Sequence, residues 1–233
     1  MKYLFFVIVL AFAATSVADG LSYTSMTAGM DGGSGANISI PANSGTDVLT
    51  FYTDESAFDA ANPGLITEDY SSTLVALVGS DAGPLDYDCN NSLFALHTIV
   101  QGISLDEQAS GDMVVMKPPF AGCTSISVGP NALAGDAVYN FTVPTKAFGG
   151  FIVMPNGGTV DIEVFGTSGS LGTTSTTGGA GGGTFWGVYC DSEVIVKVEF
   201  NDPNDAGELF ANVRFGLPTA LSRTTWAGVK TSF

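Results

Sequence analysis

Residues 86–91 read DYDCNN and set Asp86, Asp88 and Asn90 at i, i+2 and i+4. Alternating Asp and Asn along a short loop is the opening of a Ca²⁺ site. The ion takes about six to eight oxygen ligands, and one tight loop gathers several of them. An EF-hand would need a bidentate Glu at the position held by His97, so that motif is excluded. Asp86, Asp88 and Asn90 are the calcium candidates. A second acidic stretch, NDPNDAGE (201–208), offers Asp202, Asn204, Asp205 and Glu208. Pro203 pre-sets a turn there, and Asn204, Asp205 and Gly207 tolerate turn backbone angles, so this stretch reads as a hairpin turn.

Catalytic chemistry finds little support. The single histidine, His97, lies in the apolar run LFALHTIV and reads as structural. No GxSxG, HExxH or Cys-His signature occurs. Pairs such as Glu68-Asp69 or Asp161/Glu163 have the residue types of a glycosidase, but 23 acidic residues make such pairs common by chance. Glycan binding would use exposed aromatic platforms, and Tyr87, Trp186 and Tyr189, with Phe165, are the candidates. Trp186 also reads as core, since tryptophan is mostly buried.

The elements that would carry these residues are strands. VDIEVF (160–165) sets Val160, Ile162 and Val164 on one face against Asp161, Glu163 and Phe165 on the other. EVIVKVEF (193–200) sets Val194, Val196, Val198 and Phe200 against Ile195, Lys197 and Glu199. Similar runs cover 47–53, 65–70, 73–79, 92–100, 112–117, 125–129, 136–143, 147–155, 183–190 and 208–216, with a possible edge strand near NISI (37–40). Period-2 patterning with turns every 8–15 residues or so predicts an all-β, antiparallel β-sandwich. One short helix is expected near residues 54–61, with Thr53 as its cap and Asn62-Pro63-Gly64 as its stop. The Gly/Ser/Thr stretch 166–183 reads as a mobile loop between strands.

Residues 1–18 combine Lys2, an apolar run and a small-residue end, the parts of a secretory signal peptide. The run is too short for a span of about 20 residues, and no later one is longer. Residues 19–46 form a Gly/Ser-rich lead-in, 47–216 the sandwich and 217–233 a tail. Without Lys2, six basic residues face 23 acidic ones. That balance argues against nucleic acid and anionic membranes and welcomes cations. Export implies oxidising conditions, so one disulfide among Cys89, Cys123 and Cys190 is expected. Cys89 with Cys123 is favoured because both sit in turn-rich stretches.

The order FYTDESAFDAANPGLITEDYSS, KAFGGFIVMP, TFWGVYCDSEVIVKVEF and FANVRFG resembles the extracellular β-sandwich domain of exported bacterial proteins with a PEP-CTERM sorting tail, over about residues 50–216. The resemblance implies a jelly-roll-like layout similar to carbohydrate-binding modules. This chain departs from it in lacking the Val-Pro-Glu-Pro tail, and in having Ala211 where the family's last strand carries an Asp that can help hold structural calcium. Leu209, Ala211, Val213 and Phe215 read as one core face instead.

The expectation is a secreted, non-catalytic protein for cell-surface or matrix adhesion, with glycan as ligand class. A self-associating structural subunit and, more remotely, a secreted polysaccharide-acting enzyme are the alternatives.

Overall fold

The structure is a computed structural model and describes residues 38–41, 48–108 and 111–218. The expected signal peptide (1–18), most of the 19–46 lead-in and all but the first two residues of the 217–233 tail lie outside them. The chain divides into Met1–Ser34, wholly outside the described residues, and Gly35–Phe233.

The described residues form an all-β sandwich with one α-helix. Its strands are β1 (Ile38–Pro41), β2 (Val48–Tyr52), β3 (Ile66–Glu68), β4 (Val78–Ala82), β5 (Leu85–Asp86), β6 (Ile103–Glu107), β7 (Asp112–Met116) and β8 (Ser127–Pro130). They continue as β9 (Ala137–Thr145), β10 (Ala147–Val153), β11 (Gly158–Gly166), β12 (Gly169–Gly178), β13 (Thr184–Cys190), β14 (Ile195–Asn201) and β15 (Leu209–Gly216). Sheet A runs β1-β2-β13-β10-β15-β8-β7-β4, with β3 also on β15; sheet B runs β12-β11-β14-β9-β6-β5. Every strand pairing is antiparallel.

The core between the sheets follows from the alternation. Val160, Ile162 and Val164 of β11 point inward, and so do Val198 and Phe200 of β14. Tyr139 packs edge-on against Phe210 at 5.1 Å and lies 5.0 Å from Phe148. Aromatic pairs at such spacings add about 0.5–1.5 kcal/mol each beyond burial. The Tyr139 and Tyr70 hydroxyls meet at 3.1 Å inside this core, so neither is left unsatisfied.

Two bulges change the expected faces. A register shift between Ile195 and Lys197 turns Ile195 into the core and leaves Val196 half-buried. In β15, Asn212 has φ 50° and the pairing with β10 slips, so Leu209 and Ala211 face outward while Val213 and Phe215 face the main core. The single core face expected for these four residues is therefore split by a bulge. Leu209 and Ala211 belong to a second cluster with Val114, Cys123 and Val153.

The helix α1 (Glu55–Ala61) starts one residue later than expected. Asp54, not Thr53, caps it, accepting the Ala57 N–H at 2.7 Å. Phe58 is its one buried residue, and it sits over Gly187, where a Cβ would lie 2.7 Å from the ring. Arg214 of β15 holds the helix from below through Glu55 and, at 3.1 Å, Asp59.

Three expectations about elements are corrected. Residues 92–100 are not a strand: Asn91 folds the segment by accepting the Leu93 and Phe94 N–H groups, and His97 takes φ 64°. Leu93, Phe94 and Ile99 are buried without a ladder. Strand 73–79 is reduced to β4, which begins at Val78. The stretch 166–183 is not a loop. It contains β12, ten residues paired with β11 from Gly158–Gly178 to Gly166–Gly169. Its threonines favour pleated backbone, and Leu171 anchors it in the core.

Candidate functional site

A broad concave feature of the described residues lies on the outer face of sheet B. It is a cleft of about 670 Å³ lined by Gln108, Asp136, Asp161, Glu163, Thr173, Ser175, Glu199 and Asn201, among others. Period-2 geometry builds it: the residues that alternate with the inward valines of β11 and β14 stand on this face. The register aligns them in rows. Thr173, Glu163 and Glu199 are consecutive across β12, β11 and β14, and Ser175, Asp161 and Asn201 form the next row.

Glu163 and Glu199 stand directly opposite each other, a like-charge pair that costs stability in a sheet. Lys197 relieves part of this, its ammonium lying 2.5 Å from Glu199 Oε1 and 3.9 Å from the Phe165 ring centroid. No ion pair among the described residues involves Asp136, Asp161 or Glu163. Asp136 sits at the cleft's end and accepts the Asp202 N–H at 3.3 Å. Burial, together with the nearby Asp202, Asp205 and Glu199 charges, pushes its carboxyl above the usual range. A row that breaks the cross-strand charge rule is where function is expected to override stability.

The calcium candidates lie at the end of β5 and in the turn that follows it, where Asp86 and Asp88 line one small hollow. Asp86 Oδ1 accepts the Asp88 N–H at 3.0 Å and so serves the turn itself. Asp88 is exposed and points toward His97 Nε2 at 3.7 Å, and Asn90 is exposed. Among the described residues, no three His, Cys, Asp or Glu side chains converge to hold a metal ion. The stretch 201–208 is a turn, as expected: Asp202 Oδ1 accepts the Asn204 N–H, and Oδ2 accepts those of Ala206 and Gly207. Its carboxylate oxygens are spent on the backbone.

The aromatic candidates are also dispersed. Trp186 is only 2 % exposed and is packed by Phe51, Phe148 and Phe200, so it is core and not a binding platform. Tyr189 is half-buried beside the α1 cluster, and its hydroxyl donates to Asp191 at 3.2 Å. Tyr87 stacks on His97 at 4.3 Å and lines a hollow of about 120 Å³ with Asp86 and Asp88. Tyr189 and Trp186 belong to sheet A and Tyr87 follows the edge strand of sheet B, so the three form no common surface.

The disulfide expectation is corrected as well. Cys89, Cys123 and Cys190 are all buried free thiols. Cys89 lies in the core between the sheets, whereas Cys123 lies in the cluster on the outside of sheet A, so that sheet stands between them.

The cleft residues Asp136, Thr173, Ser175, Glu199 and Asn201 were not singled out by sequence reasoning. The available signal was the polar half of the 160–165 and 193–200 alternations. It lacked a third strand because residues 169–178 read as a loop. Compared with protein-family models, curated proteins and solved structures, the chain matches none of them.

Proposed function

We propose that the chain is an exported, non-catalytic binding protein of the cell surface or extracellular matrix. In this reading its sandwich has the jelly-roll-like layout of carbohydrate-binding modules, and a glycan lies along the outer face of sheet B. One observation carries the proposal: the cleft sets carboxylates, hydroxyls and amides in rows across β12, β11 and β14. Carboxylates accept hydrogen bonds from sugar hydroxyls, and charge-assisted bonds of this kind are about twice as strong as neutral ones. Thr173, Ser175, Gln108 and Asn201 both donate and accept. The negative field excludes sulfated or uronic polymers and favours neutral or amine-bearing sugars.

A glycan array spanning neutral, amine-bearing and acidic sugars tests this reading. Binding to the first two classes, lost at least tenfold in Glu163→Ala, is expected. No binding on the array, or binding untouched by Glu163→Ala and Asp161→Ala, would refute it. Release of reducing ends from a bound polysaccharide would overturn its non-catalytic part.

A further inference from the structure

Sheet B ends in an edge unlike the other free edges of the described strands. β12 is ten residues long and, among the described strands, pairs with β11 alone. The remaining edge strands are short: β1 has four residues, β3 three, β4 five and β5 two. Two of them carry further protection. β1 ends in Pro41, which donates no hydrogen bond. On β4, Asn91 Nδ2 occupies the Ala82 carbonyl and Asp81 draws in the Ser92 N–H. β12 has none of the usual guards, since no charged residue or proline occurs from Gly166 to Gly183. Its one irregularity is the register shift opposite Val164 and Phe165, which leaves Thr173–Gly178 as a regular run.

We infer that β12 is a docking edge for a second copy of this chain, pairing antiparallel with its own counterpart about a two-fold axis. Antiparallel pairing of identical strands needs a sequence complementary to itself. Thr173, Ser175 and Thr177 are exposed along one row, and a hydroxyl both donates and accepts, so the row matches itself. Nothing from Gly166 to Gly183 offers a charge by which a foreign strand would be chosen. The acidic row on β11 does not forbid the pairing at physiological salt. The two copies of Asp161 and Glu163 would lie three strand spacings apart, about 14 Å, and the Debye length there is about 8 Å. At about 10 mM salt the Debye length grows to about 30 Å, and the repulsion returns.

This inference does not depend on the ligand proposed for the cleft. Because Thr173 and Ser175 also line that cleft, the pairing would set two clefts side by side on one continuous sheet.

Sedimentation velocity of the full chain in about 150 mM and about 10 mM NaCl tests it. A dimer is expected, weaker by about tenfold at the lower salt. Ser175→Lys brings two ammonium groups together near the axis while facing Asp161 within its own chain, so a folded monomer is expected, with the wild-type circular dichroism spectrum. A second variant, Ser175→Cys, should form a disulfide-linked dimer under mild oxidation, since the three native thiols are buried. A monomer under all conditions would overturn the inference. So would a dimer that survives Ser175→Lys and does not cross-link through Ser175→Cys.

Discussion

Glu208 precedes β15 and is fully buried. Its Oε1 accepts the Ala137 N–H at 2.9 Å, and its Oε2 is buried without a hydrogen-bond partner among the described groups. Burial, reinforced by Asp202 and Asp136, raises its pKa to about 8 from an ordinary 4.5. The folded state therefore keeps a proton that the unfolded state has released. A raised folded-state pKa gives stability that is complete below about pH 4.5 and is lost as pH rises toward 8. Each pH unit across that window is worth about 1.4 kcal/mol. Between pH 5 and 7.5 the loss from this one group is about 3 kcal/mol, once partial titration at both ends is included. Glu208→Gln copies the neutral acid and cannot ionise. Urea unfolding across that range is expected to show a lead for the variant that grows by about 1.5 M, from about 0.4 M at pH 5 to about 2 M at pH 7.5, taking a slope of about 2 kcal/mol per M. Glu208→Ala removes the acceptor for Ala137 and should destabilise at every pH. Parallel wild-type and Glu208→Gln curves from pH 5 to 7.5 would refute the claim that Glu208 is held neutral.

Tyr139→Phe strands the Tyr70 hydroxyl in the core and should cost about 1–2 kcal/mol, whereas Tyr70→Phe/Tyr139→Phe together should cost less than the two singles summed, read by chemical denaturation. Asp202→Ala removes the acceptor of three backbone N–H groups and is expected to cost about 3 kcal/mol, with Ala206 and Gly207 amides exchanging faster in hydrogen-exchange measurements. No thiol should react with a thiol reagent in the native state, and Cys89, Cys123 and Cys190 should all react in guanidinium; fewer than three under denaturing conditions would mean that a disulfide exists.

The sandwich was legible because alternation is a property of the backbone itself. Valine at 160, 162 and 164 can be buried together only on one face of a strand. What alternation cannot show is a bulge, since one extra residue inverts every later assignment, as at Asn212 and beside Val196. β12 was hidden for another reason. Glycine, serine and threonine carry little apolar signal, and only the neighbouring β11 gives such a strand its place. The cleft followed it into obscurity, because Thr173 and Ser175 of β12 are among its lining residues. The aromatic candidates are dispersed because spacing does not fix direction. Trp186 looks like a platform but is enclosed by three phenylalanines, whereas Asp202, read as part of a turn, does serve its own turn.

The order of strands in sheet A also governs when this chain can fold. β2 finds its inner neighbour in β13, more than 130 residues later in the chain, and the central strand β15 is the last to be synthesised of all those described. Sheet A therefore stays in two parts until residue 216 is available: β1 can pair with β2, and β4 with β7 and β8, but β15 joins the two sides. Such non-local topology makes for slow folding, with loop-closure entropy to overcome before the contacts that reward it form. Sheet B, whose strands all end by Asn201, can close before that last strand arrives, so the two layers of the sandwich are completed at different times.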